Sequence, residues 1–191
     1  GVMIIAMVAV VLLQVSGMTA SASEIANLRI PRMVVGGAIK EDVQTIASNV
    51  RNMILMSDSM RIMAEGEQIK KLQTRIDGRY GELEKLLAND SAALAALQTV
   101  QAARKVFEPL QRETAELAGG GQIFEAKDIL IDKMHPAQLQ YFAAMDALLL
   151  QQQQQLTEAT AANERAATAV RGMLLATTLV VLAVGAVLAW W

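Results

Sequence analysis

Charge is confined to the interior of this 191-residue sequence, which is the feature that most limits how it can fold. Every Lys, Arg, Asp and Glu lies between Glu24 and Arg171. The two ends, residues 1–23 and 172–191, carry no charged side chain. A helix needs roughly 20 apolar residues to cross a bilayer core of about 30 Å, and both ends are that long. The sequence therefore predicts two membrane-crossing segments around a charged middle.

The boundaries follow from the apolar runs. We predict transmembrane helices at residues 1–22 and 172–191, with a separate domain at residues 23–171. The pair Trp190-Trp191 suits the headgroup level, where amphipathic rings are favoured. Two spans would place both termini on one side of the membrane and the middle domain on the other.

The first segment has a second interpretation. Ala20-Ser21-Ala22 resembles the cleavage site of a secretory signal peptide. Because the sequence starts without Met or a basic flank, we instead expect it to begin inside a longer protein. The absence of cysteine fits either compartment. A net charge of −2 gives no reason to expect a nucleic-acid partner.

The middle domain has the composition and periodicity of α-helices. Ala, Leu, Met, Gln and Glu abound, and prolines number only three. Apolar residues recur at steps of three and four, the spacing of one helix face. These stripes comprise Ile39, Val43, Ile46, Val50, Met53, Met56, Met60 and Met63; Ile69, Leu72, Ile76, Tyr80, Leu83 and Leu87; Leu97, Val100, Phe107, Leu110, Thr114 and Leu117; and Phe142, Met145, Leu149, Gln152, Leu156, Ala159, Asn163, Ala166, Val170 and Met173.

Three polar or glycine-rich breaks divide the stripes. They fall at residues 65–67, 89–91 and 119–121, where Asp or Ser can cap a helix start and Gly can end a helix. The first helix is expected to reach about residue 64, and the last to run from about residue 122 through the second span. Short connections require antiparallel neighbours. The predicted fold is all-α: an antiparallel up-down-up-down four-helix bundle flanked by two transmembrane helices.

Several segments resemble the sensor region of bacterial methyl-accepting chemotaxis proteins, such as the aspartate and serine receptors. They are LLQVSG at the end of the first span, IASNVRNMILMSD at residues 46–58, LQTRIDGRYGELEKLL, ARKVFEPLQRETAEL and ILIDKMHPAQLQYFAAMDALLLQQQQQL. The order of span, bundle and span is also similar. The resemblance covers essentially the whole sequence.

The resemblance implies a receptor in the bacterial inner (cytoplasmic) membrane with its bundle in the periplasm. Such a receptor is a homodimer that binds a small organic or amino acid and signals by displacing its last helix. In this family, a HAMP linker and a signalling coiled coil follow the second span and act on a cytoplasmic kinase and its adaptor. On this interpretation Trp190-Trp191 would set the depth of the last helix in the bilayer.

The resemblance also implies where the ligand binds. Family members bind it at the dimer interface, between arginines of the first helix and the start of the fourth. The matching residues are Arg51 with Asn52, Arg61, and Gln138 with Tyr141. A guanidinium binds a carboxylate through two parallel hydrogen bonds, so a small-molecule carboxylate is the expected ligand.

This sequence departs from the aspartate-receptor pattern. Leu55, Met56 and Ser57 stand where those receptors cluster a further arginine, and Ala137 replaces their threonine. These departures put aspartate in doubt and leave di- or tricarboxylates and aromatic acids open. On one ideal helix Arg51 and Arg61 would point in different directions, so we expect two subunits to supply one each.

Plainer interpretations stand beside these. Arginines on bundle helices commonly form solvated ion pairs, and Tyr141 could pack in the core. The methionine stripe from Met53 to Met63 is expected to be core or dimer seam. We predict no metal, no cofactor and no enzymatic activity, since no nucleophile lies beside a base and His135 stands alone.

Two other functions remain open at this point. The sensor region of a histidine kinase or a cyclase receptor has the same layout and differs only in the output domain. A structural membrane scaffold of helical hairpins would bind no small molecule.

Overall fold

A computed structural model describes the backbone of residues 2–191 and the side chains of residues 9–187 and 189–191. Within that part of the chain every regular element is a helix. The elements are α1 (Val2–Glu24), a π-helical segment (Ile25–Arg29), α2 (Ile30–Leu55), α3 (Ser59–Leu87), α4 (Ser91–Gly119), α5 (Ile123–Ile129), a second π-helical segment (Leu130–Met134) and α6 (His135–Trp190).

The chain divides into two compact units. One, residues 31–153, holds most of α2, all of α3, α4 and α5, and the first part of α6. Short turns join these helices, and the fourth position of the bundle is shared by α5 and α6. The prediction of an all-α, up-down-up-down four-helix bundle is confirmed.

The bundle core is made by the predicted stripes. Ile39, Val50 and Leu87 are fully buried, and Leu72 and Met145 almost so. Other buried core residues include Val43, Ile46, Met53, Ile76, Tyr80, Leu83, Leu97, Val100, Phe107, Met134, Tyr141 and Leu148. Burying each large apolar side chain stabilises the fold by roughly 1.5–3 kcal/mol, which makes this core the main source of bundle stability.

Prolines mark both π-helical segments. Pro31 and Pro136 are each the second residue after such a segment. A proline has no N–H to donate, and its ring clashes with the carbonyl four residues back. The residue before each proline donates its N–H five residues back, Ile30 to the Ile25 carbonyl and His135 to the Leu130 carbonyl. The wider turn therefore accommodates each proline without ending the helix.

Two predicted turns are confirmed. Asp90 accepts a hydrogen bond from the Ala93 N–H at 3.0 Å and caps α4. Gly121 has a φ of 79°, a left-handed conformation that favours glycine and that turns the chain between α4 and α5.

The first predicted turn was misplaced. Residues 65–67 lie inside α3, whereas α2 ends at Leu55 and α3 begins at Ser59. The physical reason is Asp58, whose carboxylate accepts hydrogen bonds from the Met60 and Arg61 N–H groups and caps the start of α3. Gly66 costs the helix only about 1 kcal/mol relative to alanine, and the buried residues of α3 from Ile69 onward outweigh that cost.

The other unit contains residues 1–30 and 154–191. Its helices carry half-buried positions at helical spacing, such as Gln14, Met18 and Ser21 on α1 and Asn163 and Ala166 on α6. The seam predicted from Leu156 to Met173 lies on this half-buried side of α6.

Two helical stretches are long and apolar enough to cross a membrane, within Ala9–Leu55 and Ile123–Val187. Their apolar windows are almost wholly exposed, 0% and 6% buried. That exposure distinguishes them from the core helices of a soluble protein, which would be mostly buried.

Candidate functional site

Arg51 lies on the exposed side of α2, one turn before the helix ends. Its Nε–H donates to the Ala47 carbonyl of the same helix at 3.1 Å. No carboxylate among the described residues lies within ion-pair distance of its guanidinium. Its neighbour Asn52 is half-buried and donates to Glu65 of α3 at 3.4 Å. Arg51 is thus an exposed cation at the end of α2.

Arg61 is not on the same helix as Arg51, contrary to the prediction. It belongs to the first turn of α3, and it pairs at 3.6 Å with Asp58 of the preceding turn. Its side chain is 75% exposed. The correction follows from the Asp58 cap, which ends the first bundle helix earlier than the apolar stripe suggested.

Gln138 and Tyr141 lie inside the bundle. Gln138 is 6% exposed, and its amide donates to Gln44 of α2 at 3.4 Å. Tyr141 is 2% exposed. Among the described residues, no hydrogen bond or ion pair connects these two with Arg51 or Arg61. Gln44 nevertheless lies seven residues before Arg51, on the same face of α2, so Gln138 contacts the arginine-bearing face.

Tyr141 belongs to a buried aromatic cluster. Its hydroxyl shares a hydrogen bond with that of Tyr80, with 2.5 Å between the oxygens. Phe107 stacks on Tyr141 at 5.7 Å between centroids, and the Arg104 guanidinium lies 4.6 Å from the centre of the Tyr80 ring. Burial raises the pKa of Tyr141 to about 12 and raises that of Tyr80 further. Both phenols are neutral at physiological pH and act here as packing groups joined by one polar contact.

A cleft of about 570 Å³ opens where the α2–α3 and α4–α5 connections meet. Three methionines line it, together with Ile62, Ile123, Ala118, three glycines, two serines and the ion pair between Glu67 and Lys70. Lys70 donates to Glu67 at 2.8 Å, and this hydrogen bond lowers the pKa of the Glu67 carboxyl. None of the five residues predicted to bind ligand lines this cleft, although Asn52 and Arg61 adjoin lining residues in sequence.

Two buried charged groups were not anticipated from the sequence. Asp42 of α2 accepts from Arg75 and Arg79 of α3, with 2.5 Å between its Oδ1 and the Arg75 guanidinium. Arg32, at the start of α2, donates to the Leu86 carbonyl at 2.9 Å and to Asp90 and Gln152 at 3.3 Å each. The apolar stripes predict only which side of each helix is buried. They do not predict which charged residues pair, because the partners lie 33 to 120 residues apart in the sequence.

The described residues contain no group of three or more His, Cys, Asp or Glu side chains placed to hold a metal ion. Their polar interior contains ion pairs between helices, one tyrosine pair and buried amide and hydroxyl side chains such as Gln138 and Thr114. The chain thus combines a four-helix bundle with two helical stretches that are long and apolar enough to cross a membrane.

The family comparison assigns this combination to a known family. The model for the four helix bundle sensory module for signal transduction matches residues 1–167. The chain therefore belongs to this family, the sensory module of methyl-accepting chemotaxis proteins. Such a module is a non-catalytic signalling domain that works at a membrane and signals to downstream partners. No curated protein matches the chain.

Proposed function

We propose that this chain is the sensor region of a transmembrane chemoreceptor that binds a small carboxylate outside the cytoplasm. Residues 1–22 and 172–191 would cross the inner membrane, and residues 23–171 would form the periplasmic domain. The observation that carries the proposal is the state of Arg51. It is an exposed guanidinium, with no carboxylate partner among the described residues, in a bundle where most other arginines are paired.

A comparison with those other arginines explains why Arg51 is the natural ligand contact. Arg32, Arg75, Arg79 and Arg104 are each held by acidic side chains of the bundle. An organic acid would have to displace these partners first. Arg51 can donate two parallel hydrogen bonds to a carboxylate without first losing an acidic partner of the bundle. Asn52 and Arg61 would lie at the margin of the same site, and a homodimer would bring a second Arg51 face to it.

The path to the membrane would start at Gln44. This residue shares the Arg51 face of α2 and accepts a hydrogen bond from Gln138 of α6. Tyr141 lies one turn further along α6. A ligand that binds to the Arg51 face of α2 can therefore favour one position of α6 over another. Because α6 is a single helix from His135 to Trp190, a shift of about 1–2 Å at its start would reach its apolar end.

Thermal unfolding of the 191-residue protein in detergent micelles, with a panel of mono-, di- and tricarboxylates, tests the binding step. At a concentration one hundred times its dissociation constant, a ligand should stabilise the folded state by about 2.7 kcal/mol. Arg51→Ala should abolish that stabilisation. Arg112→Ala, which removes an exposed arginine of α4, should retain it. A ligand that stabilises the Arg51→Ala variant as much as the unmodified protein would remove Arg51 from the site.

Signalling needs a second measurement. In a receptor that carries a known cytoplasmic output domain after Trp191, replacing Trp190 and Trp191 with Ala should shift the output without ligand. The two indole rings would no longer fix the helix end at the headgroup level. Unchanged output in that variant would contradict transmission by axial displacement of α6.

A further inference from the structure

Within the chain, the methionines of residues 53–63 are only partly buried in the core. Met53 is 3% exposed, but Met60 and Met63 are 82% and 72% exposed. Four of the eleven methionines of the chain fall in these eleven residues. An exposed methionine side chain does not stabilise the fold by burial. Core packing therefore does not explain why the exposed residues Met60 and Met63 are methionines.

Three of these side chains lie around one cleft. Met53 and Met56 come from the end of α2, and Met63 from the second turn of α3. The Met56 N–H still donates to the Asn52 carbonyl at 2.9 Å, so α-helical geometry continues as far as Met56. Residues three apart on a helix have Cβ atoms about 5–6 Å apart. Met53 and Met56 can thus direct two sulfurs to one point.

The Asp58 cap supplies the third sulfur. It separates the end of α2 at Leu55 from the start of α3 at Ser59, so that Met63 of α3 lines the same cleft as Met53 and Met56. A methionine side chain has three rotatable bonds and no branch, so each thioether can reach into the cleft. Met60 is on the same helix but does not line the cleft.

The rest of the lining favours a thioether ligand set over other chemistry. Among the described residues, no aromatic side chain lines the cleft, and the only charged groups that line it, Glu67 and Lys70, form an ion pair at 2.8 Å. Thioether sulfur is a soft donor that suits Cu(I), whereas Mg²⁺ and Ca²⁺ favour carboxylate, carbonyl and water oxygen. We propose that Met53, Met56 and Met63 form a binding site for the soft monovalent ion Cu(I).

Silver(I) is a suitable probe because it shares the softness and charge of Cu(I) without its redox chemistry. The 191-residue protein in micelles, in chloride-free and thiol-free buffer, should bind one equivalent of silver nitrate by calorimetry. Met56→Leu/Met63→Leu keeps the apolar volume and removes two sulfurs. It should weaken silver binding at least about 100-fold. Mutating residues that only orient metal ligands already lowers metal affinity by up to about 100-fold, and this variant removes two ligands themselves.

Met60→Leu is the matched control, since Met60 lies in the same cluster but outside the cleft. It should bind silver as the unmodified protein does. Equal weakening in both variants, or equal affinity in both, would overturn the proposal. Circular dichroism checks that each variant is folded. In the unmodified protein, ¹³C-methyl spectra should show shifts of the Met53, Met56 and Met63 signals and none of Met60.

The dependence on pH identifies the donor type. A thioether has no proton to lose, whereas carboxylate and imidazole ligands must be deprotonated before they bind. Silver affinity should therefore be the same at pH 5 and pH 7. A large decrease at pH 5 would assign the ion to His135 instead, because carboxylates stay ionised at both pH values. Arg51→Ala should leave silver binding unchanged, which separates this site from the proposed carboxylate site.

Discussion

The two ends of the bundle unit are built on opposite principles. At the end that holds the α3–α4 turn, Arg32 is 7% exposed and bonds to Leu86, Asp90 and Gln152, so one buried cation joins α2, α3, α4 and α6. At the end that holds the α2–α3 and α4–α5 turns, a cleft of about 570 Å³ replaces such a contact. The end at the α3–α4 turn is therefore held by directed polar contacts and is called the closed end, whereas the other end contains an open cleft.

The closed end illustrates how a polar residue can specify position. Gln152 occupies an apolar position of the α6 stripe, which costs stability, yet it accepts from Arg32 and so pairs α6 with α2 in one register. Lys40 and Asp146 repeat this link between the same helices at 2.5 Å. The apolar contacts between α2 and α6 would tolerate sliding more readily than these directed bonds.

The largest expected effect is at the closed end. Arg32→Met should lower the free energy of unfolding by about 3 kcal/mol, because Asp90 and the Leu86 carbonyl lose a buried donor. Chemical denaturation followed by circular dichroism measures the loss. Arg112→Met is the control, since Arg112 is 61% exposed and pairs only within α4, and it should cost less than about 1 kcal/mol. Similar losses in the two variants would mean that Arg32 does not hold the closed end.

The next effect concerns the tyrosine pair between the two ends. Burial raises the pKa of Tyr141 to about 12, against about 10 in an unfolded chain. A raised pKa in the folded state contributes stability that is complete below pH 10 and is lost as pH rises through about 12. The loss attributable to Tyr141 should be about 3 kcal/mol.

Tyr80 and Tyr141 are the only tyrosines of the chain, so tyrosinate absorbance reports on them directly. An alkaline titration of the folded protein should show no tyrosinate near pH 10, whereas the denatured protein should titrate there. A folded-state midpoint near 10 would show that the hydroxyls reach water. Tyr80→Phe, which removes the partner hydroxyl, should leave one titrating group and identify it.

The smallest effect compares two caps that occupy opposite ends. Asp58 and Asp90 each accept hydrogen bonds from the first turn of a helix, but only Asp90 also binds a buried arginine. Asp58→Ala should cost about 1 kcal/mol, a typical value for an N-cap. Asp90→Ala should cost about 1 kcal/mol more. Equal costs by denaturant unfolding would show that the contact with Arg32 adds nothing to the cap.

The contrast also separates what could be predicted from what could not. The turns near Asp90 and Gly121 were predicted, because a capping side chain or a glycine coincides there with a break in the apolar stripe. The turn at Asp58 was missed because Met53, Met56, Met60 and Met63 continue at steps of three and four straight across it. Periodicity cannot reveal a turn that preserves the period. The sequence Ser57-Asp58-Ser59 was the local signal of a helix start.

Within the candidate site the same limit applies. The exposed positions of Arg51 and Arg61 could be inferred from their place off the apolar stripes. That Gln138 and Tyr141 are buried depends on partners far along the chain, Gln44 and Tyr80. The ion pairs of Arg32 and Asp42 likewise depend on partners that are distant in the sequence. Only the packing of one helix against another determines them.

The π-helical segment Leu130–Met134 has a consequence for the direction that α6 presents to the bundle. A π turn holds about one residue more than the α turn it replaces, which rotates all later side chains by about 100°. With that extra residue, Ala126, Leu130 and Met134 point inward together with Tyr141 and the buried residues after it. If one residue were deleted here, either Ala126, Leu130 and Met134 or the buried residues from Tyr141 onward would have to face water. The length of this segment, more than the identity of its residues, thus decides which side of the last helix is the inner one.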